Sequence, residues 1–524
     1  MKATDSIWLL LLACQWLAHT ARAQPATDPS ALYARHCASC HGPDRLGGMG
    51  PPLLPQTLGV LTPAQAMTVV RQGRFATQMP GFAALLTDDS LRQLVQWIYQ
   101  SSNDMPGWSD AEINASRIDI AGAARLPSQP QWSADPMNLV LVVEAGDHHV
   151  SIIDGEHLTV MHRFPSRYAL HGGPKFSPDG RYAYFGSRDG WITKYDLWNF
   201  AVVAEVRAGL NLRNIATSAD GHWIMAANAW PHTAVLFDSD LRLVRRYSIQ
   251  TLDGKSSSRA SAVYDAAPRR SFLLALRDIA QLWEISYDRQ ATPIYDGMVH
   301  DYKMGEALAQ PGFLGVRRIP LEEPLDNFFF DQQYRNAIGT TRASVATEPQ
   351  AQVVNLDARQ RIASFAFPGM PHLASGITFP WNGTTVLASP NLKTGMVTIV
   401  DMKSWQVIKS IATPGTGFFL RSHENSTYAW VNSTQGSDAH DTLTVIDKRS
   451  LEVTASVREP GRKLSHIEFT RDGRYAMVSL AEMDGALIVY DAITLQEVKR
   501  LPMCKPVAHY NLGDKIGRSE CTSH

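Results

Sequence analysis

The sequence contains little cysteine and no excess of charge of either sign. The five cysteines in 524 residues are Cys14, Cys37, Cys40, Cys504 and Cys521. This number is too small for a disulfide-stapled scaffold. The 49 Lys and Arg residues balance 50 Asp and Glu, and a neutral chain without a basic run is a poor candidate for nucleic-acid binding. The apolar fraction of 44% and the charged fraction of 19% are those of a globular protein and exclude a disordered chain.

The sequence also lacks long hydrophobic runs. A membrane-spanning helix needs about 20 consecutive apolar residues. The apolar segment at residues 7–17 is shorter and is followed by Ala21-Arg22-Ala23. A short apolar segment before an Ala-x-Ala pattern is typical of a cleaved secretory signal. The prediction is a signal peptide over residues 1–23, cleavage near Ala23, and a periplasmic protein without a membrane span. A lipoprotein signal ending at Cys14 is the weaker alternative, because Leu12 is bulky for that pattern.

What the chain does contain is a C-x-x-C-H motif at Cys37-Ala38-Ser39-Cys40-His41. Two thiols at this spacing can bond the two vinyl groups of one porphyrin, while the adjacent imidazole binds the iron. A redox dithiol or half of a zinc site is the alternative, but no second C-x-x-C completes a zinc site. The motif predicts one covalent haem c per chain, attached through Cys37 and Cys40 with His41 on the iron.

A second axial ligand for this iron is predicted at Met79, in Met79-Pro80-Gly81-Phe82. Thioether ligation suits electron transfer, and Met49 and Met67 are weaker candidates. After Thr87, apolar residues recur at a helical spacing and predict a helix with one buried face. These residues are Leu91, Leu94, Val95 and Ile98. Residues 24–105 are therefore predicted to form a small all-α cytochrome c domain.

Beyond a linker at residues 106–134, the sequence repeats a unit of an Asp-Gly turn, an alternating apolar strand, a loop and a strand ending in Asp. Clear copies begin at Asp179-Gly180, Asp220-Gly221 and Asp472-Gly473. Together with degenerate copies we count about eight units with a period of roughly 40 residues, which is typical of a propeller with four strands per blade. The prediction for residues 135–524 is an all-β eight-bladed propeller whose last unit completes the first blade.

Several segments of the propeller carry a more specific pattern. They are Tyr168-Ala169-Leu170-His171, Gly186-Ser187-Arg188-Asp189-Gly190, Asp196-Leu197-Trp198, Gly209-Leu210-Asn211-Leu212-Arg213-Asn214 and Trp230-Pro231. With a cytochrome c domain in front of an eight-bladed propeller, the chain resembles the haem d1 protein family, which includes cytochrome cd1 nitrite reductase. The resemblance covers nearly the whole mature chain and implies that His171 is the proximal ligand of a haem d1 iron.

The chain departs from the nitrite reductases of that family in one respect. Those enzymes carry two distal histidines, whereas here Phe330 stands where one is expected and only His372, in Met370-Pro371-His372, matches the other. Other segments resemble the dihydro-haem d1 dehydrogenases of haem d1 synthesis. They are residues 417–424, Ser465-His466-Ile467-Glu468-Phe469 and the tail with Tyr510-Asn511, although Ala508-His509 stand where Gly-Lys is expected.

The resemblance implies a tetrapyrrole ligand with several carboxylates. Arginine holds a carboxylate bidentately and keeps its charge when partly buried, so four arginines are predicted to bind these groups. They are Arg163, Arg188, Arg213 and Arg421. His171 and His372 are the predicted iron ligands from opposite faces of the macrocycle, and His466 and Tyr510 are the predicted general acid/base pair.

The expected activity is therefore the oxidation of a propionate side chain of dihydro-haem d1 to acrylate. Electrons would pass to haem c and on to a periplasmic acceptor, and a haem d1 nitrite reductase is the expected recipient of the product. A nitrite reductase using bound haem d1, a non-enzymatic carrier of haem d1 or its precursor, and a generic scaffold fused to a cytochrome are the alternatives. For Cys504 and Cys521 the sequence permits a tail disulfide as well as free thiols.

Overall fold

The structure is a computed structural model. It describes residues 28–48, 50–55, 57–58, 61–74, 79–100, 106–121, 126–295, 309–341, 350–433 and 439–517. The predicted signal peptide, Met49 and Cys521 lie outside these residues. Cys504 is a free thiol in the described part of the chain. None of the described helices is long and apolar enough to cross a membrane.

The amino-terminal part of the described chain is helical. Its helices are α1 (Pro29–His36), α2 (Ala38–His41), α3 (Pro63–Gln72), α4 (Asp88–Ile98) and α5 (Asp110–Ser116). Polar side chains start them: Asp28 caps α1, and Thr62 with Gln65 forms a capping box on α3. Helix α4 buries Leu91, Leu94, Val95 and Ile98, which confirms the helix predicted from their spacing.

Helix α4 holds the cytochrome-like part together, because its buried face packs against both α1 and α3. Leu94 and Ile98 share one cluster with Leu32 and Cys37, so the attachment motif is anchored in a core. Burial of such apolar side chains contributes about 1.5–3 kcal/mol each. Packing against α4 therefore holds the attachment motif in place without a bound ligand.

The rest of the described chain forms eight sheets of antiparallel strands, which confirms the eight-bladed propeller. The first strands are β1 (Ile118–Asp119), β2 (Leu139–Glu144), β3 (His149–Asp154) and β4 (Thr159–Pro165). Seven further sheets are each built on four consecutive strands. They are β5–β8 (Lys175–Phe176, Tyr182–Gly186, Trp191–Asp196, Ala201–Arg207), β9–β12 (Asn211–Thr217, Trp223–Trp230, Thr233–Asp238, Leu243–Ser248), β13–β16 (Ala260–Ala266, Ser271–Leu276, Gln281–Ser286, Val316–Pro320), β17–β20 (Leu325–Phe330, Asn336–Thr341, Gln350–Asn355, Gln360–Ala366), β21–β24 (Ile377–Trp381, Thr384–Pro390, Met396–Asp401, Val407–Ala412), β25–β28 (Leu420–Arg421, Tyr428–Asn432, Thr442–Asp447, Glu452–Arg458) and β29–β32 (Leu464–Phe469, Tyr475–Leu480, Gly485–Asp491, Glu497–Met503).

The eighth sheet closes the ring with strands from both ends of the propeller. Strand β33 (Pro506–Asn511) pairs antiparallel with β2, with Tyr510 opposite Leu141. The order of this sheet is β33-β2-β3-β4, so the last strand of the chain is its innermost. This confirms the prediction that the last unit completes the first blade. Helix α6 (Leu512–Gly517) follows β33 directly.

The Asp-Gly turns explain the repeat in the sequence. In the first copy Ser177 Oγ donates to Asp179 Oδ1 at 2.5 Å and Arg181 N donates to the same oxygen at 3.1 Å. Such side-chain-to-backbone bonds fix a tight turn between two strands. In the three clear copies the turn joins an innermost strand to the second strand of its blade.

The segment predicted as a linker, residues 106–134, contains regular secondary structure. It carries α5, which begins with a capping box of Ser109 and Glu112, and β1, which pairs with the outer strand β8. Trp108 Nε1 also donates to Arg207 O at 2.8 Å. The path between the two predicted domains is therefore packed along the edge of one blade.

Closure of the ring can be tested at Leu512, which is fully buried beside Leu139 and Leu141. Replacing Leu512 by Ala leaves a cavity where α6 meets the closing blade, so we expect the free energy of unfolding to fall by about 2–5 kcal/mol. Urea unfolding followed by tryptophan fluorescence measures the change. Leu252→Ala is the control, since Leu252 is 62% exposed. Equal stability of the two variants would contradict this role of Leu512.

Candidate functional site

The attachment motif lies at the break between α1 and α2. Cys37 and Cys40 are both free thiols, and burial raises the pKa of the Cys37 thiol to about 11. His41 Nδ1 donates a hydrogen bond to Pro51 O at 2.7 Å. Burial lowers the pKa of His41, so the ring is neutral and Nε2 keeps its lone pair. The two thiols and this nitrogen fit the donor set of a c-type haem.

The loop after the motif closes tightly over the imidazole. A Cβ on Gly50 would lie 2.5 Å from His41 Cε1, so only glycine allows the backbone to approach the ring this closely. Met79 is half-buried and packs in the cluster that contains Val70 and Val95. Met67 packs on the same cluster. The role of Met79 as second axial ligand stays a prediction.

The attachment loop contacts the propeller through Arg207, at the end of β8. Arg207 Nη2 donates to Leu46 O at 2.5 Å, and its Nε donates to Asp189 O at 2.8 Å. The guanidinium also lies over the Trp108 ring, 5.0 Å from its centroid. One side chain thus joins the attachment loop, a blade and the connecting segment.

His171 lies just before β5, at the end of the propeller where the innermost strands begin. Its Nδ1 donates to Arg213 O at 2.9 Å, and Arg188 Nη2 donates to its Nε2 at 2.8 Å. Burial, with Arg188 and Arg213 nearby, holds the pKa of His171 well below its usual value. The ring is therefore neutral with its Nδ1 hydrogen on a carbonyl, which is the usual arrangement of a metal-binding histidine.

His372 repeats this arrangement before β21. Its Nδ1 donates to Phe418 O at 2.8 Å, and its ring lies 4.2 Å from the Phe418 ring between centroids. Burial lowers the pKa of His372 to about 4. Both predicted iron ligands are thus neutral imidazoles whose Nδ1 hydrogens are held by backbone carbonyls, and both precede innermost strands.

Three of the four predicted arginines belong to the same end of the propeller. Burial, together with the positive charges of Arg213 and Arg74, lowers the pKa of Arg188 to about 9. Arg74 follows α3, so the cytochrome-like part adds positive charge at this mouth. Each of these influences on Arg188 disfavours its cation, and an anionic ligand would relieve this. The cluster therefore fits a polycarboxylate.

Arg421 is the third of these arginines and is only 3% exposed. Its Nη1 donates to Ser375 Oγ at 2.7 Å, and its Nε lies 3.9 Å from Glu468 Oε2. Burial lowers its pKa, and the negative charge of Glu468 partly offsets that. Arg421 is thus a buried cation that Glu468 holds in place.

His466 and Tyr510 lie side by side, with ring centroids 5.2 Å apart. His466 is fully buried, and its Nε2 has no hydrogen-bond partner among the described residues. Burial and the neighbouring His509 hold the pKa of His466 well below its usual value, while burial raises the pKa of Tyr510 to about 12. The pair therefore combines a neutral imidazole, which can accept a proton, with a phenol that keeps its own.

The loop after His171 packs against Tyr510. Gly173 has φ +70°, and a Cβ there would lie 2.8 Å from Tyr510 Cε1. Only glycine combines this left-handed backbone with such a close approach. The structure therefore brings a predicted iron ligand and the predicted acid/base pair to one mouth.

Arg163 does not belong to this set, which corrects the prediction. It lies on β4, the outermost strand of its sheet, away from the central axis. Its Nε and Nη2 donate to Glu144 at 2.9 and 3.2 Å, and Nη2 also lies 2.5 Å from Asp147 Oδ2. Its guanidinium is committed to two carboxylates and cannot serve those of a ligand at the mouth.

Phe330 also lies elsewhere than expected. It is buried between blades, with its ring centroid 5.3 Å from that of Phe328. From the same strand, Asn327 Oδ1 reaches the mouth and accepts from Arg213 Nη2 at 3.3 Å. Phe330 is therefore a core residue. Its position does not support the expectation that it replaces a distal histidine at the mouth.

Sequence patterns did not identify Glu468 and its partner Lys515, which lie beneath the acid/base pair. Lys515 Nζ is 3.3 Å from Glu468 Oε2, and Glu468 is fully buried. A signal was present, because Glu468 stands two residues after His466 in a strand of otherwise buried residues and so faces the same side. Lys515 had no such signal.

Comparisons with known proteins agree with this organisation. The sequence pattern of the family described as "Cytochrome D1 heme domain" matches residues 134–515, which is well over half of the chain. The pattern described as "Cytochrome C oxidase, cbb3-type, subunit III" matches residues 24–98.

Two relatives and one solved structure show how far the likeness extends. Dihydro-heme d1 dehydrogenase of Pseudomonas aeruginosa is 48% identical over 507 residues, 96% of this chain and 97% of that protein. Protein NirF of Stutzerimonas stutzeri is 29% identical over 379 residues, 70% of this chain and 90% of its own. The solved structure of dihydro-heme d1 dehydrogenase NirN in complex with DHE has a TM-score of 0.80 at 48% identity, covering 93% of this chain and 100% of that one.

The contact between the two parts can be tested at Arg207. Arg207→Met removes the hydrogen bonds to Leu46 and Asp189, each worth about 1.5–3 kcal/mol for a charged donor. We expect a larger radius of gyration in small-angle X-ray scattering and faster proteolysis near the attachment loop. Arg242→Met is the control, because Arg242 is 60% exposed. Indistinguishable scattering from the two variants would show that Arg207 does not hold the parts together.

Proposed function

Because the chain belongs to the cytochrome D1 heme domain family, and within it resembles the dihydro-haem d1 dehydrogenases along its full length, we propose that it converts dihydro-haem d1 to haem d1. The chain is an oxidoreductase of haem d1 biosynthesis. In the proposed reaction a propionate side chain of the substrate is oxidised to acrylate. The location is the periplasm, which agrees with the predicted export signal.

The observation that carries this proposal is the His466–Tyr510 pair. Desaturation of a CH2–CH2 unit breaks two C–H bonds, forms one C=C bond and releases two protons and two electrons. His466 is neutral and its Nε2 is unpartnered in the described structure, so it takes the two protons one after the other at Nε2, passing on the first before it takes the second. This needs the ring hydrogen on Nδ1, so the long 3.5 Å hydrogen bond from His509 N to Nδ1 is given up. Tyr510 keeps its proton and donates a hydrogen bond that orients the side chain, because burial raises its pKa to about 12.

The substrate is held by the groups at the mouth. His171 and His372 bind its iron from opposite faces through Nε2, since the Nδ1 of each is engaged by a carbonyl. At His171 the iron replaces the hydrogen bond from Arg188, which frees that guanidinium for a carboxylate. Arg188, Arg213 and Arg421 bind its carboxylates. Arg421 is buried and the other two are half-buried, which strengthens their ion pairs with these carboxylates.

Haem c is the resident cofactor in this proposal: Cys37 and Cys40 would attach it, and His41 and Met79 would bind its iron. When bound, it would supply one-electron transfer to a periplasmic acceptor. The contacts of Arg207 and the position of Arg74 support a site for it close to the mouth. The product then passes to a haem d1 nitrite reductase.

The direct test is anaerobic mixing of the full protein, with haem c attached, and dihydro-haem d1. We expect the haem c absorption to shift to that of the reduced form, and the extracted pigment to be lighter by two hydrogens. Binding without haem c reduction or product would contradict the dehydrogenase and favour a carrier. Nitric oxide formed from nitrite would favour a nitrite reductase.

Replacing His466 by Ala removes the proton acceptor, and we expect the rate of haem c reduction to fall roughly 10²- to 10⁴-fold. Tyr510→Phe should slow it less, because the phenol orients rather than accepts. Stopped-flow absorption measures both rates. His222→Ala and Tyr295→Phe are the controls, since both residues are exposed. A His466→Ala protein as fast as His222→Ala would remove the assignment.

Replacing both Cys37 and Cys40 by Ser should abolish covalent haem, since neither hydroxyl forms a thioether. A denaturing gel stained for haem should then show no signal, and the variant should give no product unless an external oxidant is added. Cys504→Ser should keep its haem, because Cys504 lies on the eighth blade beside Gly146. A haem signal retained by the double variant would contradict the attachment.

A further inference from the structure

A group of buried charges connects the acid/base pair to the far end of the propeller. His171 and His372 precede innermost strands, and so mark the mouth. Helix α6 lies at the other end, where innermost strands turn into second strands. There its Leu512 approaches Gly180, and Asp514 lies 3.9 Å from His423. A path through this group therefore leads away from the mouth.

Glu468 is the first member of the group. It lies two residues after His466 on β29, so both side chains face the same side of the strand. It is fully buried. Its contacts are ionic, with Lys515 Nζ at 3.3 Å and Arg421 Nε at 3.9 Å from Oε2. Its negative charge also acts on Tyr510 and His509.

Lys515 and Asp514 continue the group on α6. Lys515 Nζ lies 5.9 Å from the centroid of the Tyr510 ring as well as beside Glu468. Asp514 is 5% exposed, and its Oδ2 has no hydrogen-bond partner among the described residues. Buried ionisable groups cost several kcal/mol each unless they are well paired, so a purely structural role accounts poorly for two buried carboxylates.

The surroundings of Asp514 define where the path ends. The charged and titratable groups that face it are Glu468, Lys515, Glu424, Arg471 and His423. His423 is not a member of the path, because its Nδ1 accepts from Asn425 N and its Nε2 donates to Arg471 O at 3.1 Å. Glu424 and Arg471 are exposed, so Asp514 stands next to solvent.

We propose that Glu468, Lys515 and Asp514 form a proton-exit relay, which carries the proton taken up by His466 to the end of the propeller opposite the mouth. The inference rests on the proposed dehydrogenase function and adds the route by which its proton leaves. None of the three residues touches the substrate; they act through His466 and Tyr510.

The relay conserves charge at each step. At rest Glu468 is anionic, Lys515 cationic and Asp514 protonated, so the group has no net charge. When Glu468 accepts a proton, Asp514 releases one to solvent, and the net charge is still zero. Proton transfer from Glu468 through Lys515 to Asp514 then restores the starting state. Burial and the charge of Glu468 raise the pKa of Asp514 to about 8, which suits a group that releases protons near neutral pH.

The test is single-turnover reduction of haem c by dihydro-haem d1, measured from about pH 6 to 9 in the full protein. In the wild type the rate should rise as the pH passes about 8, because Asp514 then loses its proton to solvent more readily. Asp514→Asn should be slower than the wild type over the whole range, because its amide can neither release nor take up a proton, and it should lack the rise above about pH 8. A purely structural role of Asp514 would not remove a limb of the pH profile.

Glu468→Gln should slow haem c reduction roughly tenfold or more even at saturating pigment, so that any loss of affinity through its contact with Arg421 does not account for the change. Glu468→Gln removes the negative charge that pairs with Lys515. The double variant Glu468→Gln/Lys515→Met removes both charges, so the buried charge stays balanced, and its rate should be as low as that of Glu468→Gln. Glu452→Gln, at an exposed acid on an outer strand, is the control.

Wild-type rates and an unchanged pH profile in Asp514→Asn and in the double variant would overturn the relay while leaving the dehydrogenase intact. A wild type that binds the pigment but never reduces haem c would overturn the proposed function and, with it, the relay.

Discussion

The pairing of β33 with β2 is the interaction on which the site depends. It joins strands that lie at opposite ends of the propeller sequence and makes the last strand of the chain the innermost of its blade. That strand carries Tyr510 to the side of His466, and α6 behind it carries Lys515 to Glu468. Without the pairing of β33 with β2 the ring would be open, and Tyr510 would not lie beside His466.

A second constraint is burial, which sets the protonation of the histidines. His171, His372 and His466 all have lowered pKa values, with burial as the largest cause, so each is neutral at physiological pH. What separates their roles is the partner of each ring. A backbone carbonyl accepts the Nδ1 hydrogen of the first two, as is usual for metal-binding histidines, whereas Nδ1 of His466 accepts from His509 N and its Nε2 has no described partner.

The sequence predicts what depends on short-range patterns. The spacing of Cys37, Cys40 and His41, the α4 periodicity and the Asp-Gly turns each reflect local geometry. Side-chain partners do not follow from such patterns, which is why the prediction for Arg163 is wrong: Glu144 and Asp147 engage it. The resemblance to a known family supplied His466 and Tyr510, but Lys515 lies in a tail helix whose neighbours are set only by ring closure.

The two kinds of charge released by the proposed oxidation leave by different routes in this architecture. The attachment loop contacts the propeller near the mouth, so electrons pass to that side. Arg188, Arg213 and Arg74 make the same side strongly positive, and a proton leaving there would cross a repulsive field. Glu468, Lys515 and Asp514 together carry no net charge at rest, so a proton that leaves through α6 avoids the positive field of the arginines at the mouth.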